Sequence, residues 1–307
     1  MNLNEQFAKL AANLMSKVYY KLLTFGTSIA GIFGAGDEDE IATTIGTLAK
    51  DLKNGAIDVA TNETMVACAY ALCALFFLLS LIPFITEKGF TIEAFVKFFA
   101  KLAIGVFAVS IAGDIIKYSF QFGNALSDFV ADNFTILGSG FDLGQTQEEI
   151  QATLEGRFLT MAKEGGGFSL LMTSVFTILP IDLIILVMTI VSYIIAFSRL
   201  FEMCIRSAFL PIPLALLSDD GWRGAGGRYI RKLLAIMAQG AVLVAIAMLT
   251  SQIMGRVLGT DTLEALESES ATIEAMIEKV LIAAGIGISS VSIMFKSIGF
   301  VNDIFGA

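Results

Sequence analysis

The residues whose types and spacing could do chemistry in this chain lie in or beside long apolar runs. Asp182 falls two residues after Pro180 in a stretch, Phe168 to Phe197, that carries no other charge. A carboxylate inside a membrane is costly and is usually kept for ion or proton handling. Asp182 with the helix-breaking Pro180 beside it, and Gln239 in a later apolar run, therefore mark a candidate intramembrane site. The alternative is an interfacial or ion-paired aspartate that fixes a helix kink. Further along, Arg199, Glu202 and Arg206 share one helix face, because offsets of three and seven residues return to nearly the same angle. They fit either a salt-bridge row snorkelling to the membrane surface or a docking face for a cytoplasmic partner, with a lumen role for one arginine.

Other chemistries are excluded by what is missing. The sequence has no histidine, the commonest general base and proton relay. Cys68, Cys73 and Cys204 are too few and too scattered for a disulfide framework or a zinc site, and read as small residues in membrane helices. No phosphate-binding GxxxxGK[ST] occurs, so the chain is not its own ATPase. Gly138-Ser139-Gly140 reads as a turn, and the run Asp37 to Glu40 as a solvated surface, since consecutive carboxylates point in different directions. No catalytic residue, cofactor or metal is expected.

Composition sets the fold class. At 56% hydrophobic and 16% charged, with a mean hydropathy of +0.77, the chain is far more apolar than a soluble domain. Long apolar runs select helices over a closed barrel, so an all-α polytopic membrane protein is expected. Five spans are predicted, at about 65–86, 95–120, 168–197, 233–255 and 276–295. Lys97 and Lys101 would snorkel to one interface in the second, and Lys279 and Lys296 bound the fifth. Residues 1–64 form an N-terminal amphipathic region: Phe7, Leu10, Leu14, Val18 and Leu22 recur at helical spacing while Lys9, Lys17 and Lys21 interrupt any span. Such a helix lies on the membrane surface or packs against the rest of the protein. No basic start followed by an apolar run and a cleavage site is present, so a cleaved signal peptide is not expected. Ala241 with Ala245, and Ala283 with Gly287, are small-residue ridges suited to close helix packing.

The connection 198–232 holds the most information. It carries six basic residues, Arg199, Arg206, Arg223, Arg228, Arg231 and Lys232, with Pro211, Pro213 and the anchor residue Trp222 between them. The pattern RLFExxIRxAFxPI, a polar turn with Gly and Arg, then GRYIRKLLAIMAQGAV resembles the TrbL-type polytopic subunit of conjugative type IV secretion machines, in the form carried by Gram-positive mobile elements. The resemblance runs from about Phe197 to Ala247 and is one of layout elsewhere. It implies a non-enzymatic, multimeric inner-membrane channel or scaffold subunit beside secretion ATPases, assisting DNA or protein transfer. The basic residues would then dock a partner, meet anionic lipid headgroups, or touch a passing DNA backbone.

Orientation follows from the basic bias. The connection between the fourth and fifth spans carries only Arg256 against Asp261, Glu264, Glu267 and Glu269. The 198–232 connection is therefore expected in the cytoplasm, the 121–167 loop and the N-terminus outside, and the C-terminus inside. The other function class is an autonomous secondary transporter or ion-conducting protein, for which inverted repeats and paired broken helices would be expected. No internal repeat is visible in the sequence.

Overall fold

The computed structural model describes residues 3–33, 40–87, 92–136, 147–163, 167–220, 223–258 and 273–305. All elements among them are helical, the solution open to a backbone that must satisfy its own hydrogen bonds in lipid. In chain order they are α1 (Leu3–Phe33), α2 (Glu40–Thr61), α3 (Glu63–Glu87), α4 (Ile92–Ser110), α5 (Ala112–Ile136), α6 (Gln147–Lys163), α7 (Gly167–Ala208), the short α8 (Pro211–Ala215) and α9 (Leu217–Asp220), α10 (Ala225–Leu258) and α11 (Ile273–Phe305). The chain is an all-α, multi-pass membrane protein. Helices α3, α7, α10 and α11 are each long and apolar enough to cross a bilayer, and the bent pair α4 and α5 adds a fifth crossing if counted as one span.

Helix α10 is the axis of the bundle. Its most apolar window is 72% buried, against 11% for that of α3, and it packs on α1, α5, α7 and α11. Contacts along its length fix the directions of three neighbours. Tyr19 Oη donates to the Leu258 carbonyl at 2.8 Å and Ser251 Oγ to the Leu23 carbonyl at 2.7 Å, while Gly26 lies at Ala247 and Phe33 at Gly240. Helix α1 thus runs antiparallel to α10 beside its uncharged segment. Tyr229 Oη donates to the Arg206 carbonyl at 2.9 Å, and Met188 and Met254 meet at Gly287, so α7 is also antiparallel to α10. Helix α11 is antiparallel as well, with Gly287 by Met254 and Val301 clustered with Ala235 and Ala238.

Several expectations are revised. Residues 1–64 are not a separate surface layer: Ala8, Ala12, Met15, Tyr19, Leu22 and Ile29 of α1 are buried in the common core. Of the two possibilities for the amphipathic helix, packing against the protein is the one adopted, because its apolar stripe finds α7 and α10. The predicted second span, 95–120, is not one helix. It breaks at Ile111 and bends by 59°, since α4 rests on α8 and α9 whereas α5 lies along α10. Thr61, just before α3, lies against Gly113 at the start of α5, so α3 and α4 leave the bundle and return to it at one place. The expected 121–167 loop is largely helical, containing the end of α5 and all of α6, and α6 packs on α1 through Leu154 and Phe158. Helix α7 runs unbroken through Pro180 to Ala208, and α11 continues ten residues past the expected end, to Phe305.

Candidate functional site

The connection 198–232, expected as a structured basic loop, is largely helical over its described residues. About three more helical turns of α7 take Arg199, Glu202 and Arg206 to the end of the bundle, where Glu202 is clamped from both sides. Arg199 Nη1 donates to Glu202 Oε2 at 2.7 Å and Arg206 Nη2 donates to Glu202 Oε1 at 2.8 Å. This is the intrahelical row that the i, i+3 and i, i+4 spacing allows. A cavity of about 720 Å³ opens along the same face, lined by Ile194, Phe197, Phe201, Ile205 and the charged ends of Glu202 and Arg206.

The proline segment then turns back and is packed, not exposed. Leu210, Leu214 and Ala215 have no exposed surface, and Pro211, Leu217 and Ser218 are buried. Helices α8 and α9 serve as the floor on which α3 and α4 rest: Cys73 Sγ faces the Ala215 carbonyl at 3.8 Å, and Gly105 sits against Ser218. The apolar residues of the proline turn thus go inward, and the charges that follow it are left outside. Arg223, Arg228, Arg231 and Lys232 are all exposed. Tyr229, one residue from Arg228, ties this basic turn to Arg206, so the two halves of the predicted basic face meet at one end of the bundle. Trp222 lies outside the described residues, as do Asp37 to Asp39 and Gly138-Ser139-Gly140.

The expected intramembrane site is arranged differently. Asp182 Oδ1 accepts a hydrogen bond from Lys21 Nζ at 2.9 Å, and both side chains are partly exposed. Pro180 beside it is exposed. Gln239 is buried on α10, and its Nε2 has no acceptor among the described residues. The small residues are used inside the molecule: Ala241 and Ala283 are buried, Ala245 is half-buried, and Gly287 admits the thioether of Met188 from α7. A second, apolar cleft of about 370 Å³ lies between α7 and α11, floored by Val187, Met188 and Val191. Among the described residues no three His, Cys, Asp or Glu side chains gather in a way that could hold a metal.

Two polar positions went unnoticed in the sequence. Lys21 was read as an interruption of the first helix, and nothing local announces Asp182 as its partner, 161 residues away. Lys53 is the other: it is buried, with its Nζ 2.8 Å from Asn124 Oδ1 and 3.4 Å from the Phe33 carbonyl, at the negative end of the α1 dipole. Burial holds this ammonium below the usual lysine value, with Cys204 and Asp128 pulling the other way. It joins α1, α2 and α5 at one point. Comparison with protein-family models, curated proteins and solved structures finds no match.

Proposed function

We propose that this chain is a non-enzymatic channel or scaffold subunit of a conjugative type IV secretion apparatus, working beside cytoplasmic ATPases that supply the energy. The reading rests on the resemblance of Phe197 to Ala247 to TrbL-type subunits. One observation supports it: the connection that carries the resemblance buries its own apolar turn and leaves Arg223, Arg228, Arg231 and Lys232 exposed as a basic end. A fixed, charged end of this kind suits docking of an acidic protein surface, because complementary charge sets orientation and association rate. Under the same proposal the basic end faces the cytoplasm, α6 and the N-terminus lie outside, and the C-terminus lies inside. Homo-oligomers form through exposed helix faces, since the small residues are already used internally, and translocating DNA is touched only locally by a chain of net charge -9. The transporter alternative gains nothing from Asp182, whose charge is compensated by Lys21.

The test is co-purification of the secretion ATPases with the wild type and with Arg228→Glu plus Arg231→Glu. Lys232 is kept to preserve part of the orientation signal. The expected outcome is normal membrane abundance and loss of the ATPases. A cysteine at exposed Ala225, in a background lacking the three native cysteines, checks that the topology is unchanged; Ser218 is buried and unsuitable for labelling. Undiminished ATPase recovery with correct topology would remove this surface as the docking site.

A further inference from the structure

The groove along α7 combines three features. Its wall is apolar and outward-facing, with Phe201 48% and Ile205 59% exposed, and continues one to two turns back along α7 through Phe197 and Ile194. Its mouth carries the guanidinium of Arg206. That group has five N–H donors, and Glu202 Oε1 is the acceptor it meets among the described residues. The charge around the mouth is net positive, since Tyr229 holds Arg206 beside the turn with the exposed Arg228, Arg231 and Lys232, while Arg206 and Arg199 share the single carboxylate of Glu202.

The level of the groove follows from α10. Its basic turn immediately precedes 23 residues without charge, 233–255, so Arg206 stands where the apolar layer begins and Phe197 and Ile194 stand within it. A soluble anion would use the mouth and leave the apolar wall empty. A plain hydrocarbon chain would use the wall and leave the guanidinium unused. A molecule with a phosphate at the interface and an acyl chain below it matches both, and the volume lies within the roughly 300–1,000 Å³ of ordinary ligand sites.

We propose that this groove holds one anionic phospholipid, with its headgroup phosphate on Arg206 and an acyl chain along Phe201, Phe197 and Ile194. Arg206 supplies charge-assisted hydrogen bonds that a zwitterionic headgroup answers less well, its own cation being repelled by the surrounding arginines. Glu202, one turn back on α7, holds Arg206 along the groove wall through a single N–H group. The site is separate from the exposed Arg228 and Arg231 side chains proposed for ATPase docking, and it stands whether or not that docking is correct.

The experiment is a native mass-spectrometric titration of the full chain in detergent with phosphatidylglycerol, with phosphatidylcholine of the same acyl chains, and with inorganic phosphate. Phosphatidylglycerol is expected to bind about tenfold more tightly than phosphatidylcholine, and Arg206→Gln to remove that preference, as loss of a charged hydrogen-bonding partner implies. Ile205→Asp, at an exposed position, puts a carboxylate at the mouth and is expected to have the same effect should Arg206→Gln fail to fold. Equal affinity for the two lipids, or a preference that survives both substitutions, would overturn the proposal. So would competition by inorganic phosphate alone, which would indicate a free-anion site, or a lipid-free dimer dispersed by Phe201→Ala, which would assign the groove to a second copy.

Discussion

Gly26 tests the placement of α1 most sharply. A β-carbon added there would lie 2.8 Å from Ser251 Cβ and 2.9 Å from the Ala247 carbonyl oxygen. The second neighbour is backbone and cannot rotate away. Gly26→Ala must therefore push α1 off α10, an overpacking that costs about 1–3 kcal/mol. The shift also strains the hydrogen bond from Ser251 Oγ to the Leu23 carbonyl, a further ~1 kcal/mol. Against this, alanine is the better helix former by about 1 kcal/mol. The balance is a loss of about 1–3 kcal/mol. Gly55 of α2 is the control, since nothing lies within 4 Å of its added β-carbon, and Gly55→Ala is expected to stabilise by up to about 1 kcal/mol through propensity alone. Thermal unfolding of both variants in the same detergent reads the difference as opposite shifts. If Gly26→Ala were as stabilising as Gly55→Ala, α1 would not be seated on α10, and a surface helix would be the correct description of the N-terminal region.

Two other expectations bear on the polar groups. Asp182→Asn and Lys21→Met, with the double variant, are expected to give a coupling of about 0.2–1 kcal/mol in a thermal-stability cycle, because the pair is partly exposed, and Asp182→Asn is expected to leave function intact; a disabled Asp182→Asn protein of normal stability would restore the ion-site reading. For Lys53 the folded value is depressed, so the unfolded chain binds the proton more readily and stability rises with pH from the lowered value up to about 10.5. Lys53→Met is expected to flatten that part of the pH dependence in unfolding measurements, and an unchanged slope would show that Lys53 is not buried.

The helical class and the long spans were legible because they follow from hydrophobic runs, which are local. Helices α3 and α10 each contain an uncharged stretch long enough to announce itself, and α7 one broken only by Asp182. What the sequence could not show was pairwise. Lys9, Lys17 and Lys21 argued only against a span and left surface and packed placements of α1 open; its opposite stripe is made of Ala8, Ala11, Ala12 and Met15, small or adaptable side chains that let it pack among α6, α7 and α10. The break at Ile111 has no proline to signal it, and arises because α4 and α5 rest on different partners. The basic connection was read for its charges, whereas its fold is set by Leu210, Leu214 and Leu217, apolar residues of the turn that finds α3 and α4. Arg199, Glu202 and Arg206 were placed correctly on one face because intrahelical geometry is fixed by spacing.

The central claim is that the basic end of the bundle docks the machinery of conjugative transfer. Transfer frequency is the direct measurement, in cells lacking the native chain and complemented with the wild type or with Arg228→Glu plus Arg231→Glu. Like-charge juxtaposition at a docking surface costs several kcal/mol, and each 1.4 kcal/mol is tenfold, so a fall of about a hundredfold or more is predicted at equal membrane abundance. Transfer at the wild-type level from a correctly oriented double variant, or from cells with no copy of the chain at all, would contradict the claim.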